Sequence, residues 1–333
     1  MSARSISRRA LFTFDVAGAA TPPRRWLRVH RTVMACRFEV TLRQQDARWL
    51  DAARAALDEA DRVEALLTAF RPSSEISRVN REAFAGAAGV DEELWALLQQ
   101  CAGLHAATAG AFDITTTPLS RCWGFFRREG RVPSPADIES ARSLVGMSGV
   151  RFDETALQIR FERPGMELNL GAIGKGYALD RMAGLLGRRG VGCALLSAGS
   201  SSVLAIGAPA GGWPIDLRSP QVTRQRLARA HLRDGALGTS GPGEQFVVAD
   251  GVRYGHVIDP RSGWPARGVL SASVIAGGAA RADALSTAFF VGGPALAEQY
   301  CRAHPDTLAL VTLDDGTGRP RVFGSYAGAA LED

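Results

Sequence analysis

Residues 168–180 read LNLGAIGKGYALD. The chain just before them, residues 166–170, has a strand-like pattern. From Lys175 to about Arg189 the apolar positions recur at helical spacing, with Gly190 beyond the end. A glycine-rich turn opening a helix leaves backbone N–H groups unpaired at the helix start, and together with the helix dipole these favour a phosphate. Lys175, the only lysine of the chain, adds a charged donor inside the turn. The stretch is not a Walker A loop, which needs glycine where Asn169 stands and Ser or Thr where Gly176 stands. Nor is it a G-x-G-x-x-G dinucleotide fingerprint. On these residues alone a plain glycine-capped turn stays open beside the phosphate site.

Working outward, Met34, Cys36, Phe38, Val40 and Leu42 alternate with more polar neighbours as in a strand with one buried face. Leu50, Ala53, Leu57, Ala60, Val63, Leu67 and Phe70 recur at helical spacing until Pro72 stops the helix. Residues 71–80, RPSSEISRVN, read as a polar turn. Asp91 caps a second helix bearing Leu94, Leu97, Leu98, Cys101 and Leu104, closed by Gly110. Residues 111–125 show neither period and read as a loop, and prolines 133 and 135 precede a helix near 136–145. Downstream come a buried-type strand at 191–196 and several short strands between 203 and 274. A helix then opens near Ala280, is interrupted at Gly292-Gly293-Pro294 and resumes to His304, before a closing strand at 308–313. Strands and helices alternate irregularly, which indicates α+β or mixed α/β rather than a doubly wound parallel sheet. No fixed-period repeat and no linker divides the chain.

The 333 residues are 46% hydrophobic and 22% charged, a globular composition. A net charge of +5, with no Lys/Arg run interleaved with aromatics, gives no reason to expect nucleic acid as a partner. The five cysteines are scattered without a C-x-x-C pair, which excludes a disulfide scaffold and a closed zinc site. No run of 18 apolar residues exists, so no membrane-spanning helix is expected. Residues 1–30 read as a disordered basic leader and 31–330 as one domain. Ser7-Arg8-Arg9 resembles a twin-arginine export signal, but the apolar run after it is short and broken by Asp15. A cytoplasmic location is therefore favoured over periplasmic export.

Three other constellations bear on chemistry. Asp283 and Thr287, at i and i+4, share a helix face and offer hard oxygen donors suited to Mg²⁺; a solvated polar face is the alternative, which apolar neighbours such as Leu285, Phe289 and Phe290 disfavour. His256 follows TSG (239–241) within YGHVIDPRSGWP (254–265). It serves as an acid or base, a hydrogen-bond donor, or a structural histidine. Asp113 and the threonines of AFDITTTPL (111–119) serve a ligand or cap their own loop.

Taken in order, MACRFEV, FRPSSEISRVN, AFDITTTPL, NLGAIGKGYALD, GTSG, HVIDPRSG and ADALSTAFFVGG resemble the ApbE-like FAD:protein FMN transferase family, over nearly the whole chain after the leader. The resemblance implies a single α+β domain with an antiparallel strand core flanked by helices. It implies FAD as substrate, Mg²⁺ as cofactor, and transfer of FMN to a Thr or Ser hydroxyl with release of AMP. Met34 and Ala111, Phe112 and Asp113 would contact the flavin end. Asn169, Lys175, Asp180, His256 and Ile258 would line the rest of the FAD site. The Ala172 carbonyl, Asp283 and Thr287 would hold Mg²⁺, with Lys175 and His256 assisting the chemistry. The acceptor would be another flavoprotein subunit, in the family typically of a membrane redox complex. FAD hydrolysis and non-catalytic flavin binding are the rival readings. Two positions depart from the family pattern: Ser197-Ala198-Gly199-Ser200 stands for Asn-Ala-Gly-Gly, and Met34-Ala35-Cys36 for Met-Gly-Thr. Larger residues in place of glycine narrow the cleft.

Overall fold

The computed structural model describes residues 26–219, 222, 225–241 and 245–332. It opens on a hairpin of β1 (Trp26–Val33) and β2 (Cys36–Arg43), in which Val33 faces Cys36 across a two-residue loop. Met34 and Ala35 form that loop with φ of 49° and 57°. This is the left-handed geometry of a type I′ turn, which matches the twist of the flanking strands. The strand expected from Met34 thus starts at Cys36, and β1 takes up residues 26–30 of the expected leader. Residues 1–25, with the twin-arginine reading, lie outside the described residues.

In α1 (Leu50–Leu67) the residues Ala53, Leu57, Ala60, Val63 and Leu67 are buried along one face. Where a polar turn was expected lies α2 (Glu75–Glu82). Ser74 Oγ accepts the Ser77 N–H at 3.1 Å while Ile76 and Val79 are buried, so a cap and one apolar stripe outweigh the polar composition. After β3 (Ala88–Gly89), α3 (Glu92–Ala107) is capped by Asp91, which accepts the Leu94 N–H at 2.8 Å. The expected loop at 111–125 contains α4 (Thr117–Cys122), with Pro118 in its first turn where a missing N–H costs nothing. A Ser134–Asp137 capping box starts α5 (Pro135–Arg142), and the hairpin of β4 (Val150–Asp153) and β5 (Gln158–Phe161) follows. Residues 166–170 join no sheet, in contrast to the strand read there; they run straight into α6 (Gly174–Arg188).

The second half is mostly strands: β6 (Ala194–Ala198), β7 (Ser202–Ile206), β8 (Trp213–Arg218), β9 (Arg226–Leu232), β10 (Gly235–Ser240), β11 (Phe246–Ala249), β12 (Val252–Gly255) and β13 (Val269–Ala276). The long α7 (Ala279–Ala303) breaks at Gly293, φ 71°, just before Pro294. The expected β14 (Leu308–Leu313) is followed by two unforeseen strands, β15 (Pro320–Gly324) and β16 (Ala329–Glu332).

Eight strands form the main sheet in the order β1-β2-β6-β7-β10-β13-β14-β15, every neighbouring pair antiparallel. Alternating side chains serve its two faces. Ala236 and Val274 point into the core shared with α1, α6 and α7, whereas Leu237 and Ile275 pack with Trp213, Ile215 and Ala230 of the small β16-β9-β8 sheet. The fold is α+β with an antiparallel core flanked by helices. Buried on nearly every side in its first half, α7 lies against β10 because Gly238 has no side chain: a Cβ there would sit 2.6 Å from the Ala282 carbonyl carbon.

The left-handed loop of the first hairpin gives a direct stability test. Ala35→Gly should raise unfolding free energy by about 1 kcal/mol, because the L side chain is strained at positive φ. A shift of the urea midpoint to higher concentration at unchanged m-value checks this.

Candidate active site

Asn80 of α2 holds the chain ahead of the glycine bend. Its Nδ2 donates to the Leu168 carbonyl at 2.9 Å, and its Oδ1 accepts the Leu168 N–H at 2.7 Å. Asn169 donates its own N–H to the Ile114 carbonyl at 2.7 Å, and its Oδ1 accepts the Gly171 N–H at 2.8 Å. That Asx turn bends the chain into α6. The Asn80 side chain and the Ile114 carbonyl do the pairing a neighbouring strand would do, so 166–170 needs no sheet.

The first turn of α6 meets α7 at very short range. A Cβ on Gly176 would lie 2.1 Å from the Ala279 carbonyl oxygen, so only glycine fits. The Gly176 N–H donates to Asp283 Oδ2 at 2.7 Å instead of to the Ala172 carbonyl four residues back. In return, Asp180 of α6 accepts the Ala279 and Ala280 N–H groups at 2.7 and 2.9 Å. Each helix thus supplies an aspartate to N–H groups in the first turn of the other. Both placements suit the positive end of a helix dipole. Burial raises the Asp180 carboxyl above its ordinary range, against the pull of these two N–H groups.

Asp283 is 6% exposed. Its Oδ1 accepts the Ser202 hydroxyl at 2.7 Å; Ser202 Oγ lies 3.4 Å from Ser201 Oγ, which accepts from Lys175 Nζ at 2.5 Å. Burial pushes the Asp283 carboxyl up to about 6, opposed by the Lys175 charge and by the bonds from Ser202 and Gly176. One turn along α7, Thr287 Oγ1 donates to the Asp283 carbonyl at 3.3 Å and lies 3.1 Å from Ser240 Oγ. Ser240 also meets Ser286 at 2.9 Å. The TSG segment therefore delivers Ser240 to this face, while Thr239 turns away and pairs with Ser273 at 2.9 Å.

One buried carboxylate, one hydroxyl and a backbone carbonyl released from its helix bond are hard oxygen donors, and they suit a cation such as Mg²⁺ that retains water. Among the described residues no group of three or more His, Cys, Asp or Glu side chains is placed to bind a metal. No described helix is long and apolar enough to cross a membrane.

The other expected residues take varied places. Ala111 and Phe112 are buried in the main core, so their side chains support the loop. The Asp113 carboxylate accepts the Thr115 N–H and hydroxyl at 2.7 and 2.6 Å and lies 3.3 Å from His105 Nδ1, so it too is committed within its loop. Met34 sits half-buried in the first hairpin turn. The His256 N–H donates to the Gln245 carbonyl at 3.1 Å. That bond ties its backbone to the residue that opens the β11–β12 hairpin. Ile258 bridges to Pro265 and packs with Leu119, Trp123 and Ile138. The sequence reading missed Asn80, His105, Ser201 and Ser202. The one signal for the serines was that hydroxyls, rather than apolar residues, occupy the tight β6–β7 turn.

Fold and site together define an α+β protein in which a lysine-bearing glycine bend and a buried aspartate meet where two helices interlock. The ApbE family model matches residues 34–312, and the chain belongs to that family. Among curated proteins, the FAD:protein FMN transferase of Klebsiella pneumoniae (strain 342) is 32% identical over 231 residues, 69% of this chain and 72% of its own. That of Treponema pallidum (strain Nichols) is 31% identical over 283 residues, 78% of each chain. Among solved structures, the ApbE protein of Thermotoga maritima matches with a TM-score of 0.80 at 30% identity, covering 90% of this chain and 97% of that one. The flavinyl transferase ApbE of Pseudomonas stutzeri, in its apo form, matches with 0.77 at 25% identity, covering 90% and 95%.

Pairing with Asp113, reinforced by the Phe112 carbonyl, raises the His105 pKa above its ordinary 6.5, against the opposing effect of burial. Because the folded value exceeds the unfolded one, this stabilisation is complete below about pH 6.5 and is lost as pH rises through the folded pKa. Wild type should therefore lose a few tenths to about 1 kcal/mol between about pH 6 and pH 8.5 that His105→Gln does not lose. Urea unfolding of both proteins at the two pH values reads the difference.

Proposed function

We propose that this chain transfers FMN from FAD to a threonine or serine hydroxyl of an acceptor flavoprotein, releasing AMP, with Mg²⁺ as cofactor. The observation that carries the reading is the junction of the only lysine and a buried aspartate at the first turn of α6, in a chain of the ApbE family. The names of its curated relatives support the same reading.

In this reading Asp283, Thr287 and the Ala172 carbonyl would hold the cation. Mg²⁺ there would neutralise charge on the diphosphate oxygens. Lys175 uses donors not taken by Ser201 to hold a phosphate oxygen, beside the first turn of α6. The loop edge at Ala111, Phe112 and Asp113, with Met34, bounds the flavin end. Asn169 fixes the bend beneath the diphosphate, Asp180 fixes α7, and His256 and Ile258 close the far side. The acceptor oxygen bonds to the phosphorus on the FMN side as the bond from that phosphorus to the bridging oxygen breaks. AMP leaves with that oxygen, and the hydroxyl proton passes to a base, for which His256 is the candidate.

Asp283→Asn keeps the shape of the side chain and removes its charge. With FAD, Mg²⁺ and acceptor, AMP release and covalent flavin fluorescence on the acceptor should both fall by roughly 10²-fold or more. AMP release at the wild-type rate would sink the assignment. Omitting the acceptor separates the rivals: wild-type transferase then stalls, whereas a hydrolase still yields FMN and AMP.

A further inference from the structure

The structure points to a role for the two serines that stand just after the family's usual Asn-Ala-Gly-Gly segment. We infer that Ser201 and Ser202 are positioning residues that fasten Lys175 and Asp283 into one unit, an inference that rests on the metal reading given above.

The direction of the hydrogen bonds follows from donor counting. A carboxylate only accepts, so the single proton of Ser202 goes to Asp283 Oδ1. Ser202 then accepts at its lone pair, and the nearest hydroxyl is Ser201, 3.4 Å away. Ser201 accepts in turn from the Lys175 ammonium, which only donates. The chain therefore runs one way, from ammonium through two hydroxyls to carboxylate. Each bond polarises the next.

Two consequences bear on the site. Ser201 takes one of the three ammonium protons, which sets the direction of the other two. Ser202 and the Gly176 N–H hold one carboxylate oxygen each, so the plane of Asp283 is fixed while each oxygen keeps a lone pair for a cation. Ser202 is fully buried and Ser201 nearly so, hence water does not readily substitute for either hydroxyl. Partners of this kind behind a metal ligand are typically worth 10- to 100-fold in metal affinity.

The test uses the full chain, and the lone lysine makes it clean. Labelling with ¹³C,¹⁵N-lysine gives one set of side-chain signals, those of Lys175. In the metal-free protein, Ser202→Ala should move those signals although it does not touch the lysine, as Asp283→Asn should. Calorimetric titration with Mg²⁺ alone should show roughly tenfold weaker binding in Ser202→Ala. Ser202→Thr, which keeps the hydroxyl, should restore both readouts. Wild-type lysine signals or wild-type Mg²⁺ affinity in Ser202→Ala would overturn the inference. If the wild type takes up no Mg²⁺ at all, the metal reading falls instead, and the lysine signals then decide the serine chain on their own.

Discussion

Everything at the site depends on the contact between the first turns of α6 and α7. Two helix starts are brought together although each presents the positive end of a dipole. The conflict is resolved by exchange: Asp283 of α7 takes an N–H of α6, and Asp180 of α6 takes two of α7. The exchange is sterically permitted only by Gly176, and α7 reaches that position across β10 only by way of Gly238. The buried acid is affordable because N–H, hydroxyl and ammonium groups surround it.

Much of this was legible in the sequence. The apolar spacing of α1, α3 and α7 and the Asp91 cap were strong local signals, and the structure has these helices within a few residues of where they were read. The Lys175 bend and the Asp283–Thr287 pair also stood out, because a lone lysine among glycines and an acid inside an apolar helix are both locally unusual. The structure departs from the sequence pattern where the backbone is satisfied by groups distant in sequence. The segment at 166–170 alternates as a strand does, but its partners are the Asn80 side chain and the Ile114 carbonyl, far away in sequence. In α2, charged residues form Arg78–Glu75 and Arg78–Glu82 pairs around a short apolar stripe, and composition alone resembles a turn.

The serines were hidden for a different reason. Ser202 and Asp283 are 81 positions apart, and nothing in a run of small polar residues says which hydroxyl faces inward. The register of β6 with β7 decides it, pairing Ala198 with Ser202 and turning Ser202 toward α7. His105 is silent likewise: its partner Asp113 reads as a ligand contact or a cap for its own loop, and the fold shows the second of these, with no local signal for the histidine beside it.

Asp283 has two employments at once, as a brace between helices and as an acid beside a lysine. A descendant that abandoned catalysis would still need the brace, and would keep this aspartate together with the glycines at 176 and 238. Those three letters consequently announce the scaffold, and an inventory of living and dead enzymes built on them would count both alike. Lys175, which closes no backbone gap, is the position whose loss would tell the two apart.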